Sequence, residues 1–334
     1  EAPVARRRSS LGSEWEFGAA RRRSKERASG EARAVPAFVE ALRRCDFAAV
    51  VDGVAAGADF NAKDSRGVTP LMIVAMSDAD ASVGLVRFLL EAQAHLEARD
   101  GSGLTALVHA CRSNNSPVVK ELLKSGASAT TASRDGVTAA MHAVLHGSDA
   151  LARRLLAHVE SVEDADENGW TILFHSCHLN RTVLAAWLLQ KRGADARWKA
   201  HGDVTALMLA AQHDSLELVQ LLVEHKAKPG AINADGDSVL MVALRHSQRD
   251  VALWLMDQGV SLSVRNKAGQ AASDIAQANG LKSMVDYIDA AMFLLSAQGD
   301  DARVSAGWGR APSKESAGST GHRGRKPSTR AHTK

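Results

Sequence analysis

The sequence predicts an all-α solenoid, in which helix pairs stack along one axis and β-hairpin-like turns project from the stack. A Leu-Leu pair recurs every 33 residues, at Leu89-Leu90, Leu122-Leu123, Leu155-Leu156, Leu188-Leu189 and Leu221-Leu222, and Leu255-Met256 follows after 34. A hydroxyl series keeps nearly the same step, at Thr69, Thr105, Thr138, Thr171, Thr205 and Ser238. Two independent markers with one period indicate a repeat architecture.

The composition supports helices and argues against a disulfide framework. Aromatic residues make up 4% of the 334-residue chain and hydrophobic residues 45%, so the core must consist mainly of Ala, Leu and Val. Cys45, Cys111 and Cys177 lack the spacing of zinc ligands. Because three cysteines cannot form a disulfide framework, the sequence predicts a reducing compartment, which favours a cytoplasmic location.

Each repeat has the same order of local signals. A Gly-bearing turn precedes the Thr or Ser, and a short apolar block follows it, as in DSRGVTPLMIVA from Asp64. The Gly supplies a positive φ, and the hydroxyl is expected to cap the short helix. A second apolar block, such as SLELVQLLVEH from Ser215, predicts a longer helix. Each unit is therefore a turn, a short helix, a turn, a longer helix and a turn.

The sequence resembles the ankyrin repeat family, most literally at Thr69-Pro70-Leu71 and in GADFNAKD from Gly57. The resemblance implies a repeat domain over 35–296 with about seven or eight repeats including caps: a degenerate first repeat from Pro36, six full repeats and a closing unit around AGQAASDIAQANG. The flanking segments 1–34 and 297–334 are predicted to be disordered basic arms.

One position departs from the family pattern. The residue after the Leu is usually a His that braces the turn against the helix, whereas this chain has apolar residues there: Met72, Val108, Met141, Phe174, Met208 and Met241. We expect apolar packing to replace the brace and the turns to be tethered more loosely. His109, His142 and His175 share the next register and are expected in the core. Stacked repeats would hold them about 10 Å apart, too far for one metal ion.

The resemblance also implies that the ends of the inner helices line a concave groove. Two residues follow each short block there, beginning with Met76-Ser77. The predicted partner-binding residues are Arg112, Ser113, Leu145, His146, His178, Leu179, Gln212, His213, Arg245 and His246, with Trp170 at a turn tip. Trp170 is equally consistent with a binding anchor and with structural cover.

This set contains four His, two Arg and no acidic residue, although 35–296 holds 24 basic and 30 acidic residues, a net charge of −6. It predicts a protein partner with an acidic or phosphorylated segment. The alternative is that polar surface residues simply vary between repeats. The basic arms add the possibility of nuclear import or weak nucleic-acid binding.

Function is predicted to be recognition without catalysis. None of the common phosphate-binding, metalloprotease or nucleophile motifs is present, and no cofactor, metal site or membrane span is expected. The leading prediction is a monomeric, non-catalytic adaptor or scaffold. The alternative is a recruiting or regulatory region of a larger enzyme or channel, which the start at Glu1 rather than Met favours.

Overall fold

The computed structural model describes residues 31–77, 81–146 and 148–297. The basic arms predicted for 1–34 and 297–334 lie outside these residues, except where helices reach into them. The first helix begins at Glu31, and the last ends at Ala297.

The described chain forms eight successive pairs of one inner and one outer helix. In order, the pairs are α1 (Glu31–Arg44) and α2 (Phe47–Ala55), α3 (Pro70–Ala75) and α4 (Ser82–Glu91), α5 (Ala106–Arg112) and α6 (Ser116–Lys124), α7 (Ala139–Leu145) and α8 (Asp149–Leu156), α9 (Ile172–His178) and α10 (Thr182–Arg192), α11 (Ala206–Ala210) and α12 (Leu216–Glu224), α13 (Val239–Arg245) and α14 (Arg249–Asp257), and α15 (Ala272–Ala278) and α16 (Lys282–Ala297).

The pairs stack in sequence order, which confirms the predicted helical solenoid. Every inner helix packs on its own outer helix and on the inner helices before and after it. The buried side chains form one continuous core that runs from Phe38 to Ile288. No helix among the described residues combines the length and apolar character needed to cross a membrane.

The Leu pairs and the residues at the family's usual His position both contribute to this core. In the outer helices, one Leu of each recurring pair is fully buried: Leu89, Leu122, Leu155, Leu188, Leu222 and Leu255. The apolar residues that replace the family's usual His are also buried: Met72, Val108, Met141, Phe174, Met208 and Met241. The expectation of apolar packing at that position is therefore confirmed.

The predicted hydroxyl caps form at five of six positions. The hydroxyl oxygens of Thr69, Thr105, Thr138, Thr205 and Ser238 accept the backbone N–H three residues later, at 3.3–3.4 Å. Thr171 is buried without such a side-chain bond, so the prediction is wrong there.

An Asp or Asn five residues before the cap fastens most of the turns through side-chain hydrogen bonds. Oδ1 of Asp100 accepts two backbone N–H groups, from Ser102 at 2.8 Å and Leu104 at 2.9 Å. Four other residues at this position bond in the same way: Asp64, Asp166, Asn233 and Asn266. These bonds are Asx turns, a known reason for Asp and Asn in turns.

The turns also bond to one another along the stack, and they confirm the β-hairpin-like character that was predicted. Isolated antiparallel bridges, such as Ala132 with Thr138, close four of them. Backbone N–H groups then donate to the preceding turn, as Gly101 does to the carbonyl oxygen of Arg66 at 2.7 Å. The equivalent bonds repeat at Arg134, Glu167, His201, Ala234 and Lys267. The turns therefore form a regular edge beside the inner helices.

Candidate partner-binding surface

The predicted binding residues lie where the inner helices end. Helices α5, α7, α9 and α13 end at the first member of their predicted pair, and the second member is the C-cap residue: Arg112-Ser113, Leu145-His146, His178-Leu179 and Arg245-His246. Gln212 and His213 come shortly after α11. Because successive inner helices pack together, these pairs form one row, here called the inner-helix surface.

Most of this surface is accessible. Arg112, His146, His178, Arg245 and His246 are exposed, and so is Leu145, at 40%. The half-buried members are Ser113, Leu179, Gln212, His213 and Trp170. Basic side chains at these places also interact favourably with the negative end of the helix, which partly explains why they occur there.

Trp170 packs against the end of α9. Its ring centroid lies 5.5 Å from that of His175, 5.3 Å from that of His178 in an edge-on arrangement, and 6.4 Å from that of Phe174. Its backbone N–H donates to Asp166 Oδ1 at 2.9 Å. Trp170 therefore covers part of α9, and its half-buried ring also borders the inner-helix surface.

A hydrogen bond joins α9 to the following repeat. His213 Nε2 lies 2.6 Å from the carbonyl oxygen of His178, so this nitrogen must carry the proton and donate it. Burial, followed by the nearby His213, lowers the pKa of His178. His178 is thus predominantly neutral at pH 7.

Arg112 provides an uncompensated charge beside two stacked imidazoles. The rings of His142 and His146 have centroids 6.3 Å apart and lie nearly parallel, at 18°. Burial and then Arg112 lower the pKa of His146, and burial is also the main reason that the pKa of His142 falls to about 4. Arg112 forms no ion pair with any residue that the structure describes.

Arg245 differs from Arg112 because an ion pair with Asp237 neutralises its charge. Its guanidinium bonds to both oxygens of Asp237, at 2.7 and 2.9 Å, and Asn266 Nδ2 donates to Asp237 Oδ1 at 2.9 Å. The hydrogen bond from Arg245 is the main cause of the lowered pKa of Asp237, which is 5% exposed. The sequence interpretation of Arg245 as a free anion-binding fork therefore needs correction. Asp237, the carboxylate that binds Arg245, lies eight residues earlier in the sequence.

In two repeats, a His one residue further along the inner helix lies close to the Asp of the turn. His109 Nε2 lies 2.9 Å from Asp100 Oδ2, and His175 Nε2 lies 3.2 Å from Asp166 Oδ2, although the latter pair is not aligned as a hydrogen bond. Burial lowers the pKa of both imidazoles despite these carboxylates. The expectation of a core position is confirmed for His109, which is 7% exposed, and for His175, which is 5% exposed, whereas His142 is half-buried.

The described part of the chain shows no constellation for metal binding or nucleophilic chemistry. No three His, Cys, Asp or Glu side chains within it are arranged to hold a metal ion. Cys45, Cys111 and Cys177 are buried, and burial raises the pKa of the Cys111 thiol to about 12. Burial also raises the pKa of the Cys177 thiol, so Cys111 and Cys177 are protonated at neutral pH.

Fold and surface together define a helix-pair repeat protein with a row of basic and imidazole side chains beside its turns. The family model for "Ankyrin repeats (3 copies)" matches residues 40–133, 126–200 and 186–266. The chain belongs to the ankyrin repeat family.

The similarity to three curated proteins covers part of this chain in each case. The chain is 39% identical over 77 residues to "Ankyrin repeat and SAM domain-containing protein 6" of Mus musculus, a match covering 22% of this chain and 9% of that protein. The Rattus norvegicus protein of the same name matches equally. "Alpha-latrotoxin-Lg1a" of Latrodectus geometricus is 27% identical over 104 residues, 30% of this chain and 8% of the toxin. The chain thus spans less than a tenth of the length of each of these relatives.

Proposed function

We propose that this chain is a non-catalytic protein-interaction module that binds an acidic or phosphorylated segment along the inner-helix surface, between Arg112 and His213. Ankyrin repeats are generally protein-protein interaction modules. The observation that supports the acidic partner is that no carboxylate among the described residues neutralises Arg112, His142, His146 or His178. The charged groups that shift the pKa of these three histidines are all basic or imidazole.

The chemistry of the row suits such a segment. A guanidinium can bond to a carboxylate or phosphate with two parallel N–H groups, and an imidazole can donate one bond. Leu145 and the half-buried ring of Trp170 offer apolar contacts between the polar ones. Each exposed ionic contact contributes only about 0.3 to 1 kcal/mol, so useful affinity requires several of them along the row.

This proposal predicts that the partner is lost when the inner-helix surface is made acidic. The full chain and the double variant Arg112→Glu/His178→Glu are used as baits in a cell extract, and retained proteins are identified by mass spectrometry. The variant replaces the uncompensated guanidinium and an imidazole with carboxylates, so an acidic partner should be depleted at least tenfold. A glutamate-rich peptide should also release that partner from the unchanged chain.

The matched control carries acidic substitutions on the opposite side of the stack. Lys120→Glu/Lys191→Glu changes exposed lysines of the outer helices α6 and α10 and should retain the partner. All baits have the same basic arms, so proteins that bind the arms remain on every bait. Retention on the inner-surface variant together with loss on the outer-surface control would overturn the proposal.

A further inference from the structure

Six histidines lie close together on the inner side of four consecutive repeats. They are His109 on α5, His142 and His146 at α7, His175 and His178 on α9, and His213 after α11. The inner helices that carry them pack directly on one another. Among the described residues, only two of these imidazoles lie within ion-pair distance of a carboxylate, His109 with Asp100 and His175 with Asp166.

His142 lies at the centre of this cluster. Neither of its ring nitrogens has a hydrogen-bond partner within the described structure, and both are shielded from solvent. The charged and titratable groups around it are Arg112 and His109 from α5, His146 at the end of its own helix, and His175 from α9. Every one of these groups opposes a positive charge on His142.

The outer helix behind His142 carries charges that are engaged elsewhere. Asp149 of α8 lies 3.9 Å from Arg181, and Arg153 donates to the carbonyl oxygen of Val183 and lies over the ring of Trp187. Arg154 donates to the hydroxyl of Ser116. None of these groups is among those that shift the pKa of His142.

His146 and His178 are surrounded by basic and aromatic groups in the same way. His146 faces His142 and Arg112, and His178 faces Trp170, His175 and His213. Asp214 follows His213 in the chain and is exposed. Protonation of His142, His146 or His178 therefore places a positive charge against Arg112 or another imidazole.

We propose that this cluster makes the middle repeats an acid-sensitive joint: protonation of its imidazoles loosens the packing of α5, α7 and α9 while the C-terminal repeats stay folded. The inference concerns the free chain and does not depend on a partner. The loosening is local because the repeats of a solenoid contact only their neighbours.

The sign and size of the pH effect on opening follow from the linkage between proton binding and opening. A histidine whose pKa is lower in the folded than in the open state contributes stability that is present above the open-state pKa and is lost as the pH falls towards the folded-state pKa. For His142 these pKa values are about 4 and 6.5. At pH 5 this single group favours the open state about thirtyfold, whereas its effect at pH 7.5 is negligible.

Amide hydrogen exchange on the full chain at pH 7.5, 6.0 and 5.0, corrected for the intrinsic exchange rate, tests this inference. The opening equilibrium of α5, α7 and α9 should increase at least tenfold between pH 7.5 and 5.0. Helices α13 to α15 are the internal reference, because the only histidine in 239–278 is the exposed His246. Equal changes throughout the stack, or none in α7 and α9, would overturn the inference.

Substitutions within the cluster identify the groups responsible for the acid response. His142→Met removes the central titration, places an unbranched side chain at this half-buried position and should reduce the acid response of α7 to a few-fold. If His142→Met lacks native protection at pH 7.5, His142→Gln and the exposed pair His146→Gln/His178→Gln provide the same test. His158→Gln, at an exposed histidine outside the cluster, should leave the response unchanged. An acid response that survives the removal of His142, His146 and His178 together would refute the proposed acid-sensitive joint.

Discussion

Replacing Phe174 with Ala is expected to lower the free energy of unfolding by about 3 to 5 kcal/mol, the usual cost of truncating a buried Phe. Phe174 is fully buried on α9, in the middle of the stack, and it occupies the position where the family usually has His. Its ring also supports Trp170, at a centroid distance of 6.4 Å. Chemical denaturation followed by circular dichroism measures the loss, and tryptophan fluorescence reports a change around Trp170.

The conservative variant Phe174→Leu separates cavity formation from other effects. It keeps most of the buried volume and should cost less than about 1.5 kcal/mol. A loss of under 1 kcal/mol for Phe174→Ala would show that this side chain is not the packed core residue described above.

Replacing Gly136 with Ala is expected to lower the free energy of unfolding by about 2 to 4 kcal/mol, from backbone strain and crowding together. Gly136 has a φ of +76°, which side chains rarely tolerate. A Cβ atom there would lie 2.9 Å from Asp166 Cα and 3.1 Å from Glu167 N, both in the backbone of the next turn. The added methyl group would therefore disturb the contact between two consecutive turns.

Gly126 provides a matched control for the strain alone. Its φ is +89°, and a Cβ atom there would meet nothing within 4 Å. Gly126→Ala should cost only about 1 kcal/mol. Equal losses in the two variants, measured by the same denaturation experiment, would show that the close approach of the turns contributes nothing to stability.

The repeat period allowed much of this fold to be predicted. Leu-Leu pairs with constant spacing and a hydroxyl before each apolar block determine where the outer and inner helices lie, because both signals act within one repeat. Asp100 and its equivalents at the same position were also recognisable, since Asp and Asn recur five residues before the caps. The exception at Thr171 shows that a suitable residue type does not ensure the cap bond.

The positions in the candidate surface could be predicted, but their charge states could not. Arg112 and Arg245 have the same sequence context at the end of an inner helix, yet only Arg245 meets a buried carboxylate, Asp237. Whether a side chain reaches such a partner depends on the packing between repeats. The lowered pKa values of His142 and His146 likewise depend on burial and on Arg112 from the preceding repeat.

The most direct test of the proposed binding surface is a hydrogen-exchange footprint of the full chain with and without a glutamate-rich peptide. If the peptide binds the inner-helix surface, we expect amide exchange to slow at the ends of the inner helices, around 112–113, 145–146, 178–179 and 212–213. Exchange in the outer helices α6, α8 and α10 should not change. Protection confined to the outer helices, or to 1–34 and 297–334, would contradict it.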